Sequence, residues 1–199
     1  MLDAAQAVVL AKGAGSLTLD AVAKQAGASK GGVMYNFPSK QALLAALGTR
    51  MIEHNQSRHA EILASLPATP GRELKAYVSN STRKIDDDDQ ISGALMAVLH
   101  GAPSLIQAAT GYFDARFARL TAKLPFEQAA LVYLATEGLW LLEVLQISPL
   151  NTPQRARMVR HLLQLSEPAT AAAAVSPQSR NKTVARRRSP KTLPPRTRA

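Results

Sequence analysis

Residues 18–40, near the amino end, constrain the fold more than any other part of this chain. Thr18 predicts a helix N-cap, because its hydroxyl can accept from a first-turn amide, and Asp20 suits the positive end of the helix dipole. Gly27 predicts the end of that helix, because glycine tolerates a left-handed backbone. Between them, four apolar residues recur at i, i+3, i+4 and i+7 and predict one buried face: Leu19, Val22, Ala23 and Ala26.

A second short helix is predicted over residues 30–36, with Ser29 as its N-cap. The glycine pair at 31–32 lowers helix propensity by about 1 kcal/mol per residue relative to alanine, so tertiary packing must hold this helix. Pro38 ends it, and Ser39 can cap a further helix. Two short helices joined by a tight turn predict a helix-turn-helix motif. The alternative is an ordinary helical hairpin with no role in DNA binding.

These residues resemble the N-terminal DNA-binding domain of TetR/AcrR-type transcriptional regulators. The family pattern is Ala-Gly-x-Ser, a recognition helix with glycine or alanine, then Phe-Pro-Ser-Lys and a leucine-rich helix. The chain matches this pattern at residues 26–32, 37–40 and 43–47. It departs from the family at Met34 and Tyr35, where Tyr and then His or a similar residue are usual, so its base preference can differ.

The resemblance implies an all-α fold in three parts. Residues 1–48 are expected to form a three-helix DNA-binding domain, 49–167 a helical domain for effector binding and dimerisation, and 168–199 a basic disordered tail. The chain starts almost inside its first helix, whereas relatives generally carry a short basic lead-in. Either the natural start lies upstream, or the phosphate contacts of that lead-in are missing.

The predicted DNA-binding residues divide by role. Lys30, Tyr35 and Asn36 are expected to reach base edges in the major groove, because they occupy the start and exposed side of the recognition helix. Asn36 suits paired hydrogen bonds with adenine. Phosphate contacts that set the register are assigned to the remaining residues and their amides: Thr18, Ser29, Gly31, Gly32 and Lys40. The expected partner is a double-stranded, palindromic DNA operator.

The composition excludes several other classes of protein. The chain has 199 residues, 46% of them hydrophobic, which is enough for a substantial core. It has no cysteine, which excludes disulfides, thiol chemistry and thiolate metal sites. No apolar run approaches the roughly 20 residues of a membrane helix, and no signal-peptide pattern begins the chain. A cytoplasmic location is therefore expected.

Most of the net charge of +10 lies in the tail. No acidic residue follows Glu167, and eight cations do: Arg180, Lys182, Arg186, Arg187, Arg188, Lys191, Arg196 and Arg198. The tail is rich in proline and alanine and poor in large apolar residues, which predicts disorder. Its charge can strengthen non-specific DNA binding by counterion release. The alternatives are a solvated tail with no selected role and, at 186–188, a nuclear-targeting signal.

Helices separated by breakers are predicted between the motif and the tail, and no strand pattern of useful length occurs. The predicted spans are 40–66, 72–85, 91–101, 103–124, 126–147 and 152–165, with the acidic run 86–89 as a solvated turn. The last two spans form a helical hairpin, and the first of them is apolar nearly all round. In the family such a hairpin pairs with its copy, which implies a homodimer. The alternative is that both helices complete a monomeric core.

A small-molecule effector site is implied mainly by the resemblance. Aromatic and methionine residues of the middle helices are candidates for its wall, with Glu137 or His100 as the polar group. These candidates are Tyr77, Met96, Leu99, Tyr112, Phe113, Phe117, Tyr133 and Trp140. The alternative is that they are ordinary core. An effector that favours the DNA-incompetent arrangement would shift the population of the dimer.

No catalytic or metal pattern emerges from the sequence, and no cofactor is expected. His54 and His59 are five residues apart, which places them on different sides of a helix, unlike a zinc-binding i, i+4 pair. The absence of such patterns predicts a non-enzymatic protein, and the family resemblance implies a ligand-responsive repressor. Two alternatives remain: an architectural DNA-binding protein driven by its basic tail, and an effector-binding helical domain whose helix-turn-helix is vestigial.

Overall fold

The computed structural model describes residues 1–98 and 103–168, and within these ranges every regular element is helical. A 3-10 turn at Ala14–Ser16 follows the first helix. The α-helices are α1 Leu2–Lys12, α2 Leu19–Ala26, α3 Lys30–Asn36, α4 Lys40–Ser65, α5 Arg72–Ser81, α6 Asp87–Val98, α7 Pro103–Thr121, α8 Phe126–Val144 and α9 Thr152–Leu165. The predicted all-α fold class is confirmed. His100, Leu99 and the tail from residue 169 lie outside the described residues.

The predicted caps of the amino-terminal helices are confirmed. The hydroxyl of Thr18 accepts from the Ala21 amide at 3.0 Å, and Ser29 accepts from the Gly32 amide at 3.1 Å. Ser39 caps α4 in the same way. Gly27 adopts the left-handed conformation, with φ of 62°, at the end of α2. These local contacts define the turn between α2 and α3.

The prediction of a helix over 72–85 followed by a solvated acidic turn is wrong. Helix α5 ends at Ser81, where the Thr82 carbonyl accepts from Arg155 at 2.8 Å. Helix α6 begins at Asp87. Asp86 and Asp89 exchange backbone-to-carboxylate hydrogen bonds of 3.0 and 3.1 Å, which is the reciprocal pattern of a helix start. The acidic run therefore starts a helix. Helices α7 and α8 also end about three residues before their predicted limits.

One hydrophobic cluster joins the amino-terminal helices to α6. It takes buried residues from α1, the 3-10 turn, α2, α3 and the first turns of α4. Val33 is the only residue of α3 that is buried, and it anchors that helix to the cluster. Ile91 and Leu95 of α6 lie in the same cluster. Helix α6 is therefore part of the support for the helix-turn-helix.

A second hydrophobic cluster lies among α5, α7, α8 and α9. Its fully buried members include Leu74, Val78 and Val132. Helix α4 contacts α5, α6 and α7, so it runs from the first cluster along the second. Between the two clusters lie the polar and aromatic residues described below.

Two glycines mark close approaches between helices. A Cβ atom on Gly71, at the start of α5, would lie 1.8 Å from the carbonyl oxygen of Ser166, just after α9. A Cβ on Gly93 of α6 would lie 2.2 Å from Cγ1 of Val144 on α8. Neither position can hold a side chain unless the neighbour moves. None of the helices in the described ranges is long and apolar enough to cross a membrane.

Candidate DNA-binding surface and effector cavity

Helix α3 presents most of its surface to solvent. Val33 points into the first cluster, while Tyr35 is 91% exposed and Met34 is 45% exposed. The capping hydroxyl of Ser29 and the packing of Val33 hold the helix from the inner side. An aromatic ring this exposed on a short, well-anchored helix is available for contact with another molecule.

The polar residues of this surface make local, replaceable contacts. Lys30 Nζ lies 3.0 Å from the Asp20 carboxylate, and both side chains are exposed, so the pair contributes little to stability. Lys40 Nζ donates to the Gly15 carbonyl at 3.0 Å. Asn36 Nδ2 donates to the Gly32 carbonyl at 3.0 Å, which lays the amide along the helix. Exposed contacts of this kind exchange readily for phosphate or base contacts.

The glycine pair in α3 is not required by packing within the described residues. A Cβ on Gly31 would lie 4.0 Å from the Ser29 hydroxyl, and one on Gly32 would lie 3.4 Å from it. Both distances are ordinary van der Waals contacts. The absence of side chains there leaves the backbone open to close approach from outside. The predicted phosphate contacts of Thr18 and Ser29 stay predictions. They are chemically possible, because each hydroxyl accepts from an amide and keeps its own hydrogen to donate.

A cavity of about 130 Å³ lies among α4, α6, α7 and α8. Its wall includes five of the predicted effector-site residues: Met96, Tyr112, Phe113, Glu137 and Trp140. It also includes polar residues that the sequence analysis did not single out: Asn55, Arg58, Arg83, Asp89 and Arg116. The cavity is thus mixed in character, with aromatic rings beside charged groups.

The remaining aromatic candidates belong to the core beside the cavity. Tyr77 stacks on Tyr133 with ring centroids 5.5 Å apart, and Phe117 meets Tyr133 edge-on at 5.1 Å. None of the three rings forms part of the cavity wall. Tyr77 nevertheless donates its hydroxyl hydrogen to the Glu137 carboxylate. Burial, reinforced by that carboxylate, raises the pKa of Tyr77 well above its ordinary value.

Arg116 is the central residue that sequence reasoning missed. It is only 8% exposed, and its Nη2 lies 2.7 Å from Oε1 of Glu137. Burial works to lower the pKa of Arg116, but the Glu137 carboxylate and the neighbouring tyrosines together outweigh it, so the pKa lies above its ordinary value. A signal was present in the sequence: Arg116 follows Tyr112 by four residues and Phe113 by three, which places all three on one helix face.

A carboxylate network borders the same cavity. Asp89 accepts from Trp140 Nε1 at 2.9 Å and pairs with Arg83 at 3.0 Å. Arg58 on α4 donates to Asp86 and Asp88. Burial works to raise the pKa of Asp86, but hydrogen bonds and two arginines outweigh it and lower the pKa. The network links α4, α6 and α8. Within the described ranges, no group of side chains has the composition of a metal site.

Two family models match the chain. "Bacterial regulatory proteins, tetR family" matches residues 1–47, and "Tetracyclin repressor-like, C-terminal domain" matches residues 71–167. The chain belongs to the TetR family. The resemblance found in the helix-turn-helix residues is thereby confirmed, and this TetR-family regulator carries both halves of the family architecture. No curated protein sequence matches it significantly.

Solved structures show the same fold for this TetR-family chain. A transcriptional regulator from Rhodococcus sp. Rha1 is 21% identical, with a TM-score of 0.65, over 83% of this chain and 90% of that one. The multidrug binding protein EbrR, complexed with ethidium, is 23% identical, with a TM-score of 0.61, over 82% and 95%. FadR from Bacillus subtilis, in complex with stearoyl-CoA, is 15% identical, with a TM-score of 0.59, over 83% and 95%.

Proposed function

We propose that this TetR-family protein is a sequence-specific DNA-binding repressor that acts as a homodimer and leaves its operator when a small molecule binds. The observation that carries the proposal is the 91% exposure of Tyr35 on a helix whose other side is anchored by Val33. Helix α3 has the size and exposure of a recognition helix in a major groove. The bacterial cytoplasm is the expected location, because the operator is there.

The exposed face of α8 supports the homodimer. Four leucines and a glycine follow one another at alternating spacings of three and four residues, the spacing of a helix-pairing seam: Leu131, Leu134, Gly138, Leu141 and Leu145. Leu131 and Leu134 are 67% and 62% exposed. A Cβ on Gly138 would meet nothing within 4 Å in the described residues, so a glycine there suits the close approach of a second helix. Met158 and Leu165 are exposed apolar residues of α9, the helix that packs beside α8.

The effector role is supported by the cavity and by what solved relatives hold. EbrR was solved with ethidium and FadR with stearoyl-CoA. In this chain, α6 contributes Asp89 to the cavity wall and Ile91 and Leu95 to the cluster that supports the helix-turn-helix. An effector that changes the position of α6 would therefore change both the cavity and the support of the helix-turn-helix. The effector can shift the equilibrium between the DNA-competent and DNA-incompetent arrangements by no more than the difference in its binding free energy for the two.

Separate roles for base and phosphate contacts are tested by two alanine variants. Tyr35→Ala is expected to relax preference at specific operator bases, with a cost of about 1–3 kcal/mol against the preferred sequence. Lys40→Ala is expected to weaken binding to all sequences alike. It is also expected to reduce the salt slope, the slope of log K for DNA binding against log salt concentration, by about 1 in magnitude. The measurement is fluorescence anisotropy with operator and scrambled duplexes over a range of salt concentrations.

Lys84→Ala is the matched control for loss of charge, because Lys84 is exposed but lies beyond the helix-turn-helix in the sequence. It is expected to leave both the preference and the salt slope close to those of the original chain. Equal loss of sequence preference in the Tyr35 and Lys40 variants would contradict the division of roles.

A further inference from the structure

An aromatic cage at the edge of the cavity already holds a cation; Phe113 and Tyr112 belong to the cavity wall, and Tyr77 and Tyr133 to the core behind it. The guanidinium carbon of Arg116 lies 4.7 Å from the ring centroid of Phe113 and 4.9 Å from that of Tyr112. It lies 5.3 Å from the ring of Tyr77 and 5.6 Å from that of Tyr133. Aromatic faces at these distances are the groups with which proteins recognise cationic ligands. Here Arg116 occupies them.

The carboxylate that a cationic ligand would use is engaged as well. Glu137 accepts from Arg116 Nη2 at 2.7 Å and from the hydroxyl of Tyr77. A cation entering the cavity would have to displace the buried guanidinium or lie beside it. Like charges that close together in a poorly solvated site repel each other strongly. The cage therefore disfavours a positively charged ligand.

Two buried hydrogen-bond donors near the cavity have no acceptor among the described residues. In the part of the chain that the structure describes, the wall holds three arginines and the carboxylates of Asp89 and Glu137. Arg58 and Arg83 also pair with carboxylates beside the wall, those of Asp86 and Asp88, so the arginine charges are balanced. The wall therefore lacks acceptors for particular N–H groups and does not carry an excess of positive charge. Among the described residues, the buried Nε atoms of Arg58 and Arg116 have no hydrogen-bond partner. A buried donor without an acceptor is costly, and an acceptor group on a ligand would relieve that cost after a small rotation of the side chain. A carboxylate suits guanidinium donors best.

The volume of the cavity suits a ligand with one ring. Its volume of about 130 Å³ is close to that of a cavity of about 150 Å³ that accepts benzene in another protein. The side chains of Phe113, Trp140 and Met96 give the wall apolar surface. One six-membered ring with a small substituent fills such a space.

We propose that the cavity binds a single-ring aromatic carboxylate and that Arg116 rejects a cation of the same size. The proposal rests on the proposed function in one respect, that this cavity is the effector site. It names the chemical class of the effector, which neither the fold nor the family determines.

The test compares three probes that share one ring and differ in charge: benzoate, benzyl alcohol and benzylamine. Isothermal titration calorimetry on the full chain at neutral pH is expected to give benzoate an affinity at least about tenfold higher than either of the others. Benzylamine binding as tightly as benzoate would overturn the proposal. So would equal affinities for benzoate and benzyl alcohol, or no heat from any of the three.

Variants at the cage separate recognition from folding. Arg116→Met combined with Glu137→Gln removes both charges together, so no buried charge is left unpaired, and it is expected to abolish the preference for benzoate. Arg116→Lys keeps the positive charge but loses the planar fork, and it is expected to retain part of the preference. Arg119→Met on the exposed side of α7 is the matched control. A benzoate preference that survives in the double variant would contradict the role of Arg116.

These titrations are carried out without DNA, so they test the proposed ligand class independently of the proposed regulatory function. A preference for benzylamine with intact operator binding would overturn the ligand class alone. A preference for benzoate in a protein that binds all DNA sequences equally would support the ligand class and overturn the proposed repressor function.

Discussion

Leu134→Glu is expected to convert the dimer into a monomer and to lower operator affinity at least about a hundredfold, because two linked half-sites bind far more tightly than one. Leu134 lies near the middle of the exposed seam on α8, with 62% of its surface accessible in the protomer. Two-fold pairing would bury a glutamate against the partner's apolar seam without a counter-charge. The protomer should fold normally, because the side chain faces solvent there.

Sedimentation velocity would report the mass of the variant, and anisotropy titrations with a full palindrome and a single half-site would report its affinity. Ile106→Glu is the control, because Ile106 is an exposed apolar residue that belongs to α7 and not to the α8 seam. It is expected to remain dimeric. A dimeric Leu134→Glu variant with unchanged operator affinity would show that α8 is not the interface.

Gly71→Ala is expected to lower the free energy of unfolding by about 3 kcal/mol, at the upper end of the usual cost of overpacking. The added methyl would lie 1.8 Å from the backbone oxygen of Ser166 and 2.8 Å from its carbonyl carbon. A flexible side chain could rotate away, but a backbone carbonyl cannot move without shifting the end of α9. Urea denaturation at a fixed protein concentration measures the loss.

Gly111→Ala in α7 is the matched control, since a Cβ there meets nothing within 4 Å among the described residues. It is expected to be neutral or to stabilise by up to about 1 kcal/mol through helix propensity. Equal stability of the two alanine variants would mean that α5 and α9 do not pack as closely as described.

Local chemistry made the helix-turn-helix predictable. The N-caps at Thr18, Ser29 and Ser39 and the left-handed Gly27 are contacts within three or four residues, so the sequence pattern contains them. The bounds of α2, α3 and α9 follow the predicted spans for the same reason. The motifs that resemble the TetR family lie in the same region.

Long-range partners explain what could not be predicted. The acidic run 86–89 starts α6 partly because Arg58, about 30 residues earlier in the chain, bonds to Asp86 and Asp88. The same limit applies to the cavity. Tyr77 and Trp140 are similar candidates by sequence, yet packing puts one in the core and the other on the wall. Arg116 was overlooked because arginine is rarely buried, and its charge partner, Glu137, lies 21 residues away in the chain.

Selection of genomic DNA fragments by the purified full chain, at fixed salt and with excess competitor duplex, tests the central claim most directly. The proposed function predicts enrichment of a short palindrome whose half-sites are centred about one helical turn, or a multiple of it, apart. It also predicts loss of that enrichment in the Tyr35→Ala variant. Recovery of genomic fragments at the same frequency as random duplex would contradict the claim that α3 reads a DNA sequence.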